Sequence, residues 1–169
     1  VDGWSEPGVL TAENPLSMVP TLVLDDGSSL YDSPVICDYL DRQHTGPRMI
    51  PDSGEARWQV LREQALGDGI LDNAVLIFVE LNKRPEEKRW DWWLALKQRA
   101  IERSLDHLEQ EAKGLAGRID LGTISIAVAL GYLDLRGAVG QWRIGRPALA
   151  DWFAEFACRP SMVATTPPG

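Results

Sequence analysis

Two unlike patterns of apolar residues divide the chain. In the first third the apolar positions come in short runs separated by turn residues: Thr21-Leu22-Val23-Leu24, then Asp25-Asp26-Gly27, then Ser28-Ser29-Leu30-Tyr31. Two strand-forming runs around an Asp-Gly turn predict a β-hairpin. Asp32-Ser33-Pro34 then places a capping side chain ahead of a proline at the first helical position. The helix that follows carries Val35, Ile36, Tyr39 and Leu40, spaced for one buried face.

Beyond a stretch rich in proline and glycine, the linker 44–54, the period becomes helical throughout. One long helix is predicted from about Glu55 to Asn82, with Trp58, Leu61, Leu66, Ile70 and Ala74 on its apolar face. Arg84-Pro85 breaks it, and a second helix is predicted from about Glu86 to Lys113. Thr123 opens an almost wholly apolar helix, Ile124 to Leu135, the signature of a central buried element. Arg146-Pro147 starts a last amphipathic helix that ends near Cys158, where Arg159-Pro160 stops it. A tail, 161–169, follows, and its end from Thr165 reads as disordered. A hairpin with one helix buries too little to stand alone, so a further sheet element is expected upstream.

Charge narrows the function. The 169 residues carry a formal net charge of −8, a field that repels a phosphate backbone and counts against nucleic acid as a partner. No apolar run approaches the ~18 residues of a membrane span, and the opening Val1-Asp2-Gly3-Trp4 lacks the features of a signal peptide. Cys37 and Cys158 stand far apart in no paired motif, which fits a reducing, cytoplasmic compartment. Cys37 reads as a buried helix residue and Cys158 as a helix-end one, while His44 and His107 have no ligand-spaced neighbours, so no metal site is expected.

Several motifs in order carry a resemblance. They are Asn14-Pro15-Leu16-Ser17-Met18-Val19-Pro20-Thr21-Leu22, Asp32-Ser33-Pro34-Val35-Ile36 with Tyr39-Leu40, Ala65-Leu66-Gly67-Asp68-Gly69, Gly131-Tyr132-Leu133-Asp134 and Arg146-Pro147-Ala148-Leu149. With Trp152 and Arg159-Pro160-Ser161 they resemble the glutathione S-transferases, most closely the small bacterial members, over roughly Glu13 to Pro168. The resemblance implies an incomplete thioredoxin-like domain (1–43) lacking its first strand and helix, followed by an all-helical domain (55–160). The missing unit's second strand is placed near Val1 to Trp4.

By the same resemblance glutathione is the co-substrate. The Val19–Pro20 bond is expected to be cis, turning the Val19 N–H and C=O towards the backbone of the glutathione cysteinyl residue. Asp32 and Ser33, at a helix N-terminus, are expected at the γ-glutamyl group, beside an ordinary capping role. Asp68 is the candidate to reach across a dimer to the glutamyl amine, with a solvated surface pair with Asp72 as the other reading. Trp90, Trp92 and Trp93 read as core or dimer packing, with an electrophile pocket as the alternative.

Three departures qualify the match. The family's catalytic Ser, Tyr or Cys ends the first strand, so no catalytic residue is expected in this sequence. Met18 stands where many members carry Lys or Gln to meet glutathione's glycine end, and Thr123 is followed three residues later by Ile126, leaving half a capping box. The implied activity is conjugation of glutathione thiolate to an electrophilic small molecule by a homodimer. A non-catalytic binding or interaction protein on the same scaffold is the alternative, and a glutathione-dependent isomerase or dehalogenase a third.

Overall fold

A computed structural model describes residues 8–167. The chain divides into two compact units, 1–52 and 53–169. The expected strand near Val1 to Trp4 lies outside the described residues.

Among the described residues the first unit starts with a short helix, α1 (Gly8–Glu13), which the apolar pattern did not reveal. Strands β1 (Leu22–Val23) and β2 (Ser29–Leu30) pair antiparallel, with Leu22 opposite Leu30 and Val23 opposite Ser29. The turn between them works as its sequence demands. Asp26 Oδ1 accepts the N–H of Ser28 at 2.9 Å and its hydroxyl at 2.6 Å, and Gly27 supplies φ +82°. Helix α2 (Ser33–Asp41) follows with Asp32 as N-cap and Pro34 in its first turn. Its expected apolar face is only partly buried: Ile36 is 9% exposed, but Val35 and Leu40 are about half exposed, at 48% and 50%. Among the described residues the two-stranded ribbon offers too narrow a face to cover a helix stripe.

The end of α2 is fixed by Asp41, whose buried carboxylate accepts the N–H groups of Met49 at 2.7 Å and Ile50 at 3.1 Å, while Arg48 donates to the Asp41 carbonyl. An irregular stretch rich in glycine and proline is thereby tied down without a helix or strand of its own. Ile50, 3% exposed, is buried beside it in sequence.

The second unit is helical: α3 (Gly54–Asn82), α4 (Asp91–Leu115), α5 (Leu121–Arg136), α6 (Pro147–Ala157) and the short α7 (Pro160–Ala164). Helix α5 runs along α3 and has Ile126, Ala127, Ala129 and Leu130 at 0% exposure. Each large aliphatic side chain so buried contributes about 1.5–3 kcal/mol. The close approach is made by Gly67, where a Cβ would fall 2.7 Å from the carbonyl carbon of Ser125. Trp142, Leu149 and Phe153 bury their side chains in the same core.

Three helix limits differ from the sequence expectation. Helix α4 starts at Asp91, not Glu86; residues Glu86–Lys88 form a single 3₁₀ turn. The carboxylate of Glu80, on α3, accepts the Trp90 N–H at 2.9 Å and so takes over a helix-start amide from a distance. Helix α5 starts at Leu121 with Asp120 as N-cap, and Thr123 is its third residue rather than its cap. The box is whole: Asp120 Oδ1 accepts Thr123 N–H at 3.0 Å, and Thr123 Oγ1 accepts Asp120 N–H at 3.1 Å. Pro160 stops α6 but also opens α7 in the expected tail, because a proline suits a first helical turn.

Trp58 is 63% exposed and does not join the apolar face predicted for α3; that face is Val60, Ile70, Ala74 and Ile77. No helix among the described residues is long and apolar enough to cross a membrane.

Candidate functional site

The loop from Asn14 to Thr21 is built around a side chain that is almost completely buried. Asn14, 1% exposed, donates from Nδ2 to the Met18 carbonyl at 3.0 Å and to Thr21 Oγ1 at 3.1 Å, while its Oδ1 accepts the Leu16 N–H at 2.9 Å. Thr21 Oγ1 donates to the same Met18 carbonyl at 2.9 Å. Three of the four hydrogen-bonding positions of the amide are thus filled within seven residues of chain. Ser17 takes φ +53° to complete the turn, and its N–H donates to the Asn14 carbonyl at 2.8 Å.

This framework presents Val19. The Val19–Pro20 bond is cis, and Val19 is 68% exposed. Among the described residues its N–H and C=O make no hydrogen bond, so both are open to an extended peptide. Met18 is also exposed, at 58%, and its carbonyl is already occupied by Asn14 and Thr21.

At the start of α2 the Asp32 side chain accepts the Ser33 N–H, so the cap is local. Ser33 is half-buried, and its hydroxyl has no hydrogen-bond partner among the described residues. The capping duty falls on Asp32, which leaves the Ser33 hydroxyl available to a ligand at the positive end of the helix. Val19, Pro20, Asp32 and Ser33 all belong to the first unit. Asp68 belongs to the second, half-buried on α3 beside Gly67, with Asp72 exposed one turn on.

The aromatic cluster before and on α4 is not core. Trp90 and Trp92 are 59% and 55% exposed, with ring centroids 5.0 Å apart, and Lys97 Nζ lies 4.2 Å from the Trp93 ring. A separate groove of about 290 Å³ lies between α3 and α4, bordered by Arg62, Glu63, Leu66, His107 and Glu111. Its walls mix these charged side chains with Ala65, Leu108 and Leu115. Cys37 is half-buried rather than buried, and Cys158 caps the end of α6, exposed. Among the described residues no group of three or more His, Cys, Asp and Glu side chains could hold a metal ion.

Sequence reasoning missed Asn14 as a functional support. The signal was an Asn-Pro pair at the start of the loop, which marks a turn but does not show that the amide is buried. It also missed Arg118, which joins Glu63 on α3 to Asp120 at the start of α5.

Comparison with known proteins identifies the family. The profile of the glutathione S-transferase N-terminal domain matches residues 1–43, and that of the C-terminal domain matches residues 91–155. The uncharacterized GST-like protein YibF of Escherichia coli K12 is 35% identical over 158 residues, 92% of this chain and 78% of that one. A glutathione transferase family member from Pseudomonas fluorescens, solved with bound glutathione, is 49% identical at a TM-score of 0.93, covering 95% of this chain and 79% of its own. A glutathione S-transferase from Methylobacillus flagellatus, also solved with glutathione, is 34% identical at a TM-score of 0.87, covering 94% and 80%. With identities of this order across some four fifths of its relatives' length, the chain belongs to the glutathione S-transferase family.

Proposed function

We propose that this chain acts in a glutathione transferase that joins the thiolate of glutathione to the electrophilic carbon of a small molecule. The observation that carries the reading is the open Val19 backbone on its Asn14-supported loop, in a chain 49% identical to a relative solved with glutathione. Val19 pairs with the cysteinyl backbone of glutathione, and Asp32 and Ser33 receive its γ-glutamyl end. The protein works as a cytoplasmic homodimer, with Asp68 meeting the glutamyl amine bound by the partner.

Activation of the thiol sets the energetic demand. A thiol of pKa ~8.5 is only a few per cent thiolate at neutral pH. Lowering that value by two units takes about 2.7 kcal/mol, and one charge-assisted hydrogen bond contributes about 1.5–3 kcal/mol. A single well-placed hydroxyl meets the demand. In this reading the Ser or Tyr that supplies it, or the Cys that stands in its place, is not one of these 169 residues; the chain itself binds and orients.

Met18 favours a second reading, a glutathione-binding protein without turnover, because a thioether cannot pair with the glycine carboxylate of glutathione. Titration of the full-length protein with glutathione, alongside turnover of a nitroaryl chloride, separates the two. Binding with turnover supports the transferase, binding alone supports the second reading, and the absence of binding rejects both. Val19→Pro, which removes the N–H donor, is expected to weaken binding by about tenfold or more.

A further inference from the structure

Charge is divided unevenly between the two units. Residues 1–52 hold nine aspartates and glutamates against two arginines and no lysine, so that −7 of the net charge of −8 resides there. Both arginines follow α2 and are engaged: Arg42 meets Asp38 at 3.1 Å, and Arg48 donates to the Asp41 carbonyl. The ring of His44 stands 3.4 Å from the Asp41 carboxylate. Ser33 lies at the other end of that helix, about 13 Å along the axis from Arg42 at 1.5 Å per residue.

The loop that presents Val19 is apolar where it meets solvent. Pro15, Leu16, Met18, Val19 and Pro20 are exposed, while Asn14 is buried and Ser17 and Thr21 are partly buried. The Met18 carbonyl is already taken by Asn14 and Thr21, so its exposed thioether is what this residue offers to a ligand.

Glutathione brings two carboxylates and one ammonium group. With its γ-glutamyl end at the start of α2, the glycine carboxylate is the charge left over. In the first unit it meets an acidic field and no unengaged cation. Against apolar side chains it also gives up water without gaining a partner. An ester or amide at the same place carries no charge to lose.

We propose that this chain selects its thiol by the γ-glutamyl end, and that the glycine end lies uncharged-paired against Leu16 and Met18. The ligand class is then γ-glutamyl thiols in general, including those whose glycine carboxylate is masked as an ester or amide. The proposal rests on the glutathione reading of Val19, Asp32 and Ser33 and is independent of turnover.

The test is calorimetric titration of the full-length protein with glutathione and with its ethyl ester at glycine. The ester is expected to bind at least as tightly as glutathione, and glutathione binding is expected to hold or strengthen as sodium chloride is raised. Tighter binding of glutathione than of the ester, or glutathione binding that weakens with salt, overturns the proposal. Met18→Lys is expected to reverse the order and favour glutathione by about tenfold, because it sets a cation beside the glycine end. An unchanged order in a folded Met18→Lys protein overturns the placement of that end at Met18. Binding of neither compound to the wild type rejects the glutathione reading, and the proposal with it; glutathione bound tightly and its ester weakly keeps the reading and rejects only the proposal.

Discussion

Arg118 grips Glu63 with two parallel hydrogen bonds, Nη1 to Oε1 at 2.8 Å and Nη2 to Oε2 at 2.7 Å, across 55 residues of chain. The same guanidinium reaches the Asp120 carboxylate at 2.8 Å, and Asp120 is the N-cap of α5. One cation therefore joins the middle of α3's first half to the start of the most buried helix. Hydrogen bonding by Glu63, more than offsetting partial burial, raises the affinity of Arg118 for its proton.

Replacing Arg118 by Met is expected to leave Glu63 buried with only Gln59, at 3.0 Å, as a partner. Breaking such a pair from one side costs about 3 kcal/mol. Urea denaturation of the full-length protein reads the loss as a lower midpoint. The double variant Arg118→Met, Glu63→Leu is expected to recover part of it, because the stranded carboxylate is gone. A single variant as stable as the parent would show that the grip is ornamental to stability.

Gly67 and Gly69 sit two residues apart on α3 and are expected to respond to alanine in opposite directions. A Cβ at Gly67 would meet Ser125 backbone atoms at 2.7 and 2.8 Å and the Ile126 nitrogen at 3.0 Å, and backbone cannot yield as a flexible side chain can. Overpacking of this kind costs about 1–3 kcal/mol. At Gly69 nothing lies within 4 Å, so alanine removes only backbone freedom from the unfolded chain. The gain is about 0.5–1 kcal/mol. Thermal unfolding of the two variants checks both signs at once.

What could be read from sequence was whatever is local. The hairpin was legible because its strands, turn residues and the Asp32-Ser33-Pro34 start signal are all contiguous, and the structure shows them close to their expected places. The cis Val19–Pro20 bond followed from the motif resemblance and not from any blind preference. The start of α4 was misjudged because Glu80, ten residues earlier, holds the Trp90 amide; no window of sequence shows that bond. The capping box of α5 lies three residues upstream of the start that Thr123 suggests: Asp120 caps and Thr123 answers it. The exposure of Val35 and Leu40 shows the same limit, since periodicity marks a stripe without showing how much of it finds cover.

Asp41 makes the order of the stretch after α2 dependent on pH. Burial works against its charge, but the N–H groups of Met49 and Ile50, with the nearby Arg48 guanidinium and the His44 ring, outweigh it and hold the carboxyl below the ordinary aspartate value. A depressed carboxylate contributes fully above the unfolded value of about 3.9 and loses its contribution as pH falls through the lower folded value. The stretch 42–50 is therefore expected to be firm at neutral pH and to loosen below about pH 4. Hydrogen exchange at the Met49 and Ile50 amides reports it. Asp41→Ala is expected to raise their exchange at neutral pH by more than about tenfold, since each charge-assisted bond is worth about 1.5–3 kcal/mol. Unchanged exchange in that variant would place the anchor elsewhere.

Asn14 is expected to govern glutathione binding without touching glutathione. Its amide is buried and fixes Met18 and Thr21 on either side of Val19–Pro20, so the backbone offered to the ligand is shaped one step away from it. Asn14→Asp keeps the size and the Leu16 bond but removes both Nδ2 donors and sets a carboxylate against the Met18 carbonyl. The loop must then rearrange, and calorimetric affinity for glutathione is expected to fall by about tenfold. Thr21→Val removes one of the two donors to the Met18 carbonyl and is expected to give a smaller loss in the same direction. Helical content at far-ultraviolet wavelengths should stay constant in both, because the second unit is untouched. A drop in affinity with helicity intact assigns the effect to the loop; full affinity in Asn14→Asp would mean that Val19 is held in place by other means.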